Sequence, residues 1–159
     1  PLNPSEATTQ RINDNSLVVR VTFGKIVALM MGDLGHDGER RLLKTGSLLR
    51  AQILKLGHHG QGSTSRPFLD AVKPSHAVMT CCDHPLRTPL SPQVRQSLKR
   101  RSIRLYRTDK HRDIEFMTDG RSISTEVNIS FYGLGPPHCA WALHHEPATA
   151  SSCIRPMRK

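Results

Sequence analysis

The sequence predicts an α/β fold. Two observations carry the prediction: β-branched apolar runs alternate with amphipathic stretches from about Lys25 to Tyr106, and serine-plus-proline signals open two of the intervening helices. The runs Ser16 to Thr22 and Lys25 to Met31 flank Phe23-Gly24 and predict two strands joined by a tight turn, the second ending at Gly32-Asp33. From Asp37 to Thr45, Glu39, Leu42 and Leu43 among charged neighbours predict a short amphipathic helix that Gly46 terminates. Ala51 to Leu56 predicts a third strand, ending at Gly57-His58-His59-Gly60. Ser65 caps a helix with Pro67 in its first turn, running to about Val72, and His76 to Thr80 follows as a fourth strand. Ser91-Pro92 repeats the signal and opens a basic helix to about Arg101. Ile103 to Tyr106 and Ile114 to Met117 predict further strands, with a turn at Asp119-Gly120. From about Ile129 the chain carries Gly133, Gly135, Pro136, Pro137 and Pro147 without periodicity, so 129–159 reads as an extended or disordered basic tail.

Hydrophobic residues make up 36% of the chain but aromatic ones only 4%, so the core must be built from aliphatic side chains. No run of apolar residues is long enough to span a bilayer, and the start Pro1-Leu2-Asn3-Pro4 has no signal-peptide character; the chain as given is expected to be soluble. It begins without Met, and a preceding segment is expected. A formal net charge of +10 favours anionic partners such as nucleic acid or phosphorylated substrates. Much of the excess is concentrated in Arg95, Lys99, Arg100, Arg101, Arg104, Arg107, Lys110 and Arg112, against Asp109 alone. That segment reads either as a solvated helix face and strand edge or as a phosphate-facing patch. Cys81, Cys82, Cys139 and Cys153 show no C-x-x-C spacing and are expected to be structural thiols.

In an open α/β sheet, chemistry gathers where strands end, because the loops there hold side chains on a rigid scaffold. Two predicted strand ends carry unusual polar groups: Asp33 after Gly32, and His58-His59 between Gly57 and Gly60. A carboxylate has two oxygens and can bridge two cations, while an imidazole supplies one nitrogen to zinc. Together they make part of a two-metal site, one that activates water and clamps the entering and leaving oxygens of a displacement. Singly, an Asp after a strand is more often a turn former, and a His-His pair is weak evidence.

The combination is more specific. Asn15-Ser16-Leu17-Val18-Val19-Arg20, Met31-Gly32-Asp33, Leu54-Lys55-Leu56-Gly57-His58-His59-Gly60 and Phe68-Leu69-Asp70-Ala71-Val72-Lys73-Pro74 resemble the metallo-β-lactamase domain of the competence protein ComEC family. The resemblance continues through Ser91-Pro92-Gln93-Val94 and Tyr106-Arg107-Thr108-Asp109 to Thr118-Asp119-Gly120. It implies that, after a lead-in over 1–11, residues 12–128 form the C-terminal half of a four-layer αββα sandwich. It also implies a role in DNA uptake as a nuclease. Carried over residue by residue, Asp33 matches the metal-bridging aspartate and His59, which directly precedes a glycine, matches the last metal ligand. His58 is then a substrate-phosphate group, and Ser63 either contacts phosphate or serves the turn.

Two departures qualify this. The superfamily signature H-x-H-x-D-H is absent and would lie before Pro1, so this chain alone is expected to hold its two divalent ions, zinc or manganese, weakly. At Thr88-Pro89-Leu90-Ser91-Pro92, where many relatives read G-H-P-S-P, Pro89 takes the histidine's place. His84 is an alternative from the same loop but reads more simply as exposed, His36 reads as a surface residue at a helix start, and His144-His145-Glu146 as part of the tail. The leading expectation is a fragment of a dinuclear metal-dependent hydrolase acting on DNA phosphodiesters, its partners being DNA and the missing N-terminal half of the domain. A membrane enters only through a ComEC-type parent, which would present the domain on the extracytoplasmic face. Two alternatives remain open: a soluble hydrolase of the same superfamily acting on a small ester, lactone or phosphocholine, and a non-catalytic basic nucleic-acid-binding module.

Overall fold

A computed structural model describes residues 12–46, 48–61, 63–81 and 90–128. The predicted tail over 129–159, the lead-in over 1–11, His84 and Pro89 lie outside the described residues. Five strands, β1 (Val19–Phe23), β2 (Ile26–Met30), β3 (Ile53–Lys55), β4 (His76–Met79) and β5 (Arg104–Arg107), form one sheet in chain order. β1 is antiparallel to β2, and all later pairings are parallel. The helices α1 (His36–Lys44), α2 (Arg66–Val72) and α3 (Pro92–Arg100) fill the three parallel crossovers. The fold class is α/β, as the alternation predicts.

Because β2 to β5 lie side by side in sequence order, right-handed crossovers carry all three helices to the same face of the sheet. Register agrees: Leu29, Leu54 and Ala77 align across neighbouring strands. They share one buried aliphatic core with Leu42 of α1, Phe68, Leu69 and Val72 of α2, and Val94 and Leu98 of α3. Among the described residues, Phe68 is the one aromatic ring in that core, in keeping with the aliphatic composition.

The opposite face is covered in part by a hairpin of β6 (Asp113–Thr118) and β7 (Ile123–Asn128). Phe116 stands edge-on to His76 at 5.7 Å and to Tyr106 at 5.5 Å, while those two rings stack at 5.9 Å. Burial, together with the nearby Arg104 charge, holds the His76 imidazole below its ordinary pKa. Val21, Phe23 and Met30 alternate onto this same face and stay exposed, so part of the sheet has no covering layer among the described residues.

Sequence reasoning needs correction at four places. The β1–β2 turn is Gly24-Lys25 rather than Phe23-Gly24, because Phe23 already pairs with Ile26. β7 and a one-turn helix α4 (Thr108–His111) were not foreseen, and neither was the 3₁₀ turn Ile12–Asn15. Ser65 caps α2 by accepting the Phe68 N–H, but the Ser91 hydroxyl donates to Gln93 Oε1 and makes no cap bond. The basic segment is also divided: Arg101 pairs with Asp70 and Arg107 with Asp109, leaving Arg95, Lys99, Arg100, Arg104 and Lys110 exposed. Cys81 is a free thiol that donates to Asp109 Oδ1 at 3.0 Å, and burial pushes its pKa up.

The two hairpins are locked together at their turns. Lys25 N–H donates to Gly120 O at 2.6 Å, and a Cβ on Gly24, whose φ is +57°, would stand 2.5 Å from the same oxygen. Gly24→Ala is therefore expected to cost about 2 kcal/mol through left-handed strain and separation of the turns, read as a lower midpoint in urea.

Candidate functional site

The site forms at the carboxyl ends of β2, β3 and β4, three adjacent parallel strands. Past β2, Gly32 turns the chain with φ +53°, where an added Cβ would meet Leu17 O and Ser16 Cβ, each at 3.1 Å. The Asp33 N–H then donates to Ser16 Oγ at 3.1 Å, which fixes the carboxylate at the strand tip. Past β3, Gly57–Gly60 makes a 3₁₀ turn in which His58 (φ 43°, ψ 46°) and His59 (φ 53°, ψ 26°) are both left-handed. Consecutive left-handed residues other than glycine are costly and persist only where their surroundings hold them.

Several bonds hold them. Buried Ser63 donates its hydroxyl to Gly57 O at 3.0 Å, and a Cβ on Gly57 would stand 2.7 Å from Leu34 O. Gly32 O accepts both the His58 N–H at 3.3 Å and Lys55 Nζ at 2.9 Å, so a single carbonyl ties the two strand-end turns together. Lys55 is mostly buried, its Nζ 4.0 Å from Asp33 Oδ1; burial pulls its pKa below the ordinary lysine value, opposed by the Asp33 charge.

Asp33 and His59, from different strand ends, are brought together: His59 Nε2 lies 3.4 Å from Asp33 Oδ1. The other ring nitrogen, Nδ1, faces Thr80 O at 2.7 Å and Thr80 Oγ1 at 3.1 Å, just past β4. A carbonyl only accepts, which assigns the proton to Nδ1 and leaves Nε2 of the neutral ring as the lone-pair nitrogen. With the ring neutral, the pair would offer two acceptor atoms to a divalent cation, the backbone carbonyl orienting the ring as outer partners of metal-bound histidines do. The donor set fits part of a zinc or manganese centre. Among the described residues, no group of three or more His, Cys, Asp or Glu side chains is placed to share one ion.

The other predicted site residues fall beside this pair. His58 is half-buried and follows the same turn, while the Ser63 hydroxyl is directed to Gly57 O. His36 is exposed at the first position of α1. Sequence reasoning missed Ser16, Lys55 and Thr80. Lys55 left a signal, a charge inside the apolar run Ile53-Leu54-Lys55-Leu56; the other two contribute through bonds that only the fold creates.

No protein-family model matches the chain. It is 31% identical to ComE operon protein 3 of Bacillus subtilis over 138 residues, 86% of this chain and 17% of that protein. It is 37% identical to competence protein ComA of Neisseria gonorrhoeae over 122 residues, 72% of this chain and 17% of that protein. Its homologues are competence proteins. A third relative, recombination protein 2 of Haemophilus influenzae, is 34% identical over 80 residues, half of this chain and 10% of that protein. The chain therefore spans about a sixth of the length of the first two competence relatives. Among the described residues, no helix is long and apolar enough to cross a membrane.

Proposed function

We propose that this chain is the part of a metallo-β-lactamase-like, competence-type hydrolase that supplies Asp33 and His59 to a two-metal centre, acting on phosphodiesters of DNA during its uptake. The observation that carries the reading is the convergence of Asp33 Oδ1 and His59 Nε2 at 3.4 Å, with His59 Nδ1 committed to Thr80 O. In this reading Asp33 would hold metal through its carboxylate and His59 through its Nε2 nitrogen. Thr80 and Lys55 position them, Ser63 holds the histidine turn, and His58 stands toward the substrate phosphate. Divalent ions at such a centre activate water and stabilise the entering and leaving oxygens. Two donors do not close a metal site, so the reading requires further ligands from a longer protein, which would carry the sheet-covering half of an αββα sandwich.

The competence relatives support DNA over a small ester as the substrate, and the exposed cations Arg95, Lys99, Arg100 and Arg104 support a backbone track. The test joins this chain to the segment preceding it in its parent protein, then measures metal by elemental analysis and cleavage of a single-stranded oligonucleotide. The expected result is two zinc or manganese ions per chain, with metal-dependent cleavage. Oligonucleotide binding is expected to weaken with salt, the slope shrinking by about 0.7 for each of those four cations changed to Gln. Metal with esterase activity but no cleavage would replace the substrate; no metal, with salt-sensitive binding intact, would leave a basic binding module.

A further inference from the structure

β4 and β5 pair in parallel as far as Met79 and Arg107, and there the ladder ends, because β5 turns into α4 at Thr108. The Thr108 carbonyl is drawn into that turn, where it accepts the Arg112 N–H at 3.0 Å. The Thr108 side chain continues the link to the segment past β4. Its hydroxyl oxygen accepts the Cys81 N–H at 2.8 Å and donates to Cys81 O at 2.6 Å, across 27 residues of sequence. A threonine hydroxyl has one hydrogen to give and a carbonyl can only accept, so the direction of both bonds is fixed.

The Cys81 N–H belongs to the same planar peptide group as the Thr80 carbonyl. That carbonyl faces His59 Nδ1 at 2.7 Å. One peptide plane is therefore held by Thr108 at its N–H edge and holds His59 at its C=O edge. The Thr80 hydroxyl, 3.1 Å from the same ring nitrogen, can accept or donate, so it does not choose the tautomer; the carbonyl does. Turned over, the plane would take its acceptor away from Nδ1 and present a donor. A neutral ring meets a donor at Nδ1 by carrying its proton on Nε2, the atom 3.4 Å from Asp33 Oδ1, and the lone pair there is then lost. Asp109 restrains residue 81 separately: its Oδ1 accepts the Cys81 thiol at 3.0 Å and the Arg107 Nε–H at 2.9 Å. That contact reaches the side chain of Cys81 and not the peptide plane.

We infer that Thr108 is a positioning residue for His59, locking the peptide between Thr80 and Cys81 so that its carbonyl keeps the imidazole proton on Nδ1 and leaves Nε2 open to a cation. The inference rests on reading Asp33 and His59 as metal ligands. It extends the site from the ends of β2, β3 and β4 to the end of β5, through a side chain that acts only by way of the backbone beside it.

The test uses the whole chain labelled with ¹⁵N-histidine, in EDTA at one mildly basic pH where imidazoles are neutral. Long-range proton–nitrogen correlations read the His59 tautomer, and the wild type is expected to show Nδ1–H. Thr108→Val keeps the shape but neither accepts nor donates, and is expected to lose that signature to the Nε2–H form or to a mixture of the two. Thr108→Ser keeps the hydroxyl and is expected to restore it. Cys81→Ala removes the thiol bond to Asp109 but leaves the backbone bonds of residue 81, and is expected to match the wild type. A wild-type His59 protonated on Nε2, an unchanged tautomer in folded Thr108→Val, or an equal loss in Cys81→Ala would overturn the lock. If Thr108→Val does not fold, amide exchange in the wild type decides: a protected Cys81 N–H supports the lock, and one that exchanges like an open loop overturns it. In the longer protein, Thr108→Val is expected to weaken zinc binding by about ten- to a hundredfold, with Thr108→Ser close to the wild type. A changed tautomer with zinc affinity intact would overturn the role of Thr108 in the site. If the tautomer responds as expected while the longer wild-type protein holds no metal, the lock stands and the reading of Asp33 and His59 as ligands fails.

Discussion

Asp33→Asn in the longer protein is expected to reduce phosphodiester cleavage at least about a thousandfold, with bound metal lost and thermal stability nearly unchanged. The exchange keeps shape but replaces an anionic oxygen pair with a neutral amide, which cannot bridge two cations. The several kcal/mol that metal charge contributes to such displacements are then forfeited, at a factor of ten for each 1.36 kcal/mol. Stability should hold because the bond that shapes this turn comes from the backbone: the Asp33 N–H donates to Ser16 Oγ whatever the side chain. The carboxylate itself is about a third exposed, and its nearest cation, Lys55 Nζ at 4.0 Å, keeps its bond to Gly32 O. Rates from purified protein, paired with elemental analysis and a melting curve, separate the outcomes. A variant with full rate and full metal would remove Asp33 from the site; one that loses rate by unfolding would make it structural.

Much of this arrangement was legible because local chemistry and global fold agree. Ser65 followed by Pro67 announces α2, and the Ser65 hydroxyl does accept the Phe68 N–H. Gly32 and Gly57 mark strand ends because a side chain is crowded there, as the 2.7 Å approach of a Gly57 Cβ to Leu34 O shows. What the sequence concealed falls where local signals are weak or absent. β7, read as Ile123-Ser124-Thr125-Glu126-Val127-Asn128, alternates only small β-branched residues with polar ones, and its pairing with β6 decides its state. Its partner strand carries the one ring, Phe116, that reaches the sheet. The Thr80 carbonyl that orients His59 is a backbone atom, without side-chain identity to read. The basic segment looked uniform, yet Asp70 lies 31 residues from its partner Arg101, a pairing that folding alone reveals.

Glu39 carries the second large expectation, a loss of stability between mildly acid and mildly basic pH. It is 1% exposed, and burial pushes its pKa from the ordinary 4.5 to about 7, opposed by the bonds from Ser65; its Oε1 has no partner among the described residues. A carboxyl whose folded pKa lies above its unfolded one stabilises the protein fully below the unfolded value, and that contribution is lost as pH rises through the folded one. The window therefore opens near 4.5 and closes above 7, and the upward shift corresponds to about 3 kcal/mol. Glu39→Gln keeps an oxygen to accept the Ser65 N–H but carries no charge at any pH. Urea unfolding at several pH values between 5 and 8 should show the variant close to the wild type at the acid end and more stable by up to about 3 kcal/mol at the basic end. The difference between the two curves isolates Glu39 from His76, whose lowered pKa acts in the opposite direction and is common to both proteins. Parallel curves would mean that the carboxyl is ionised without penalty.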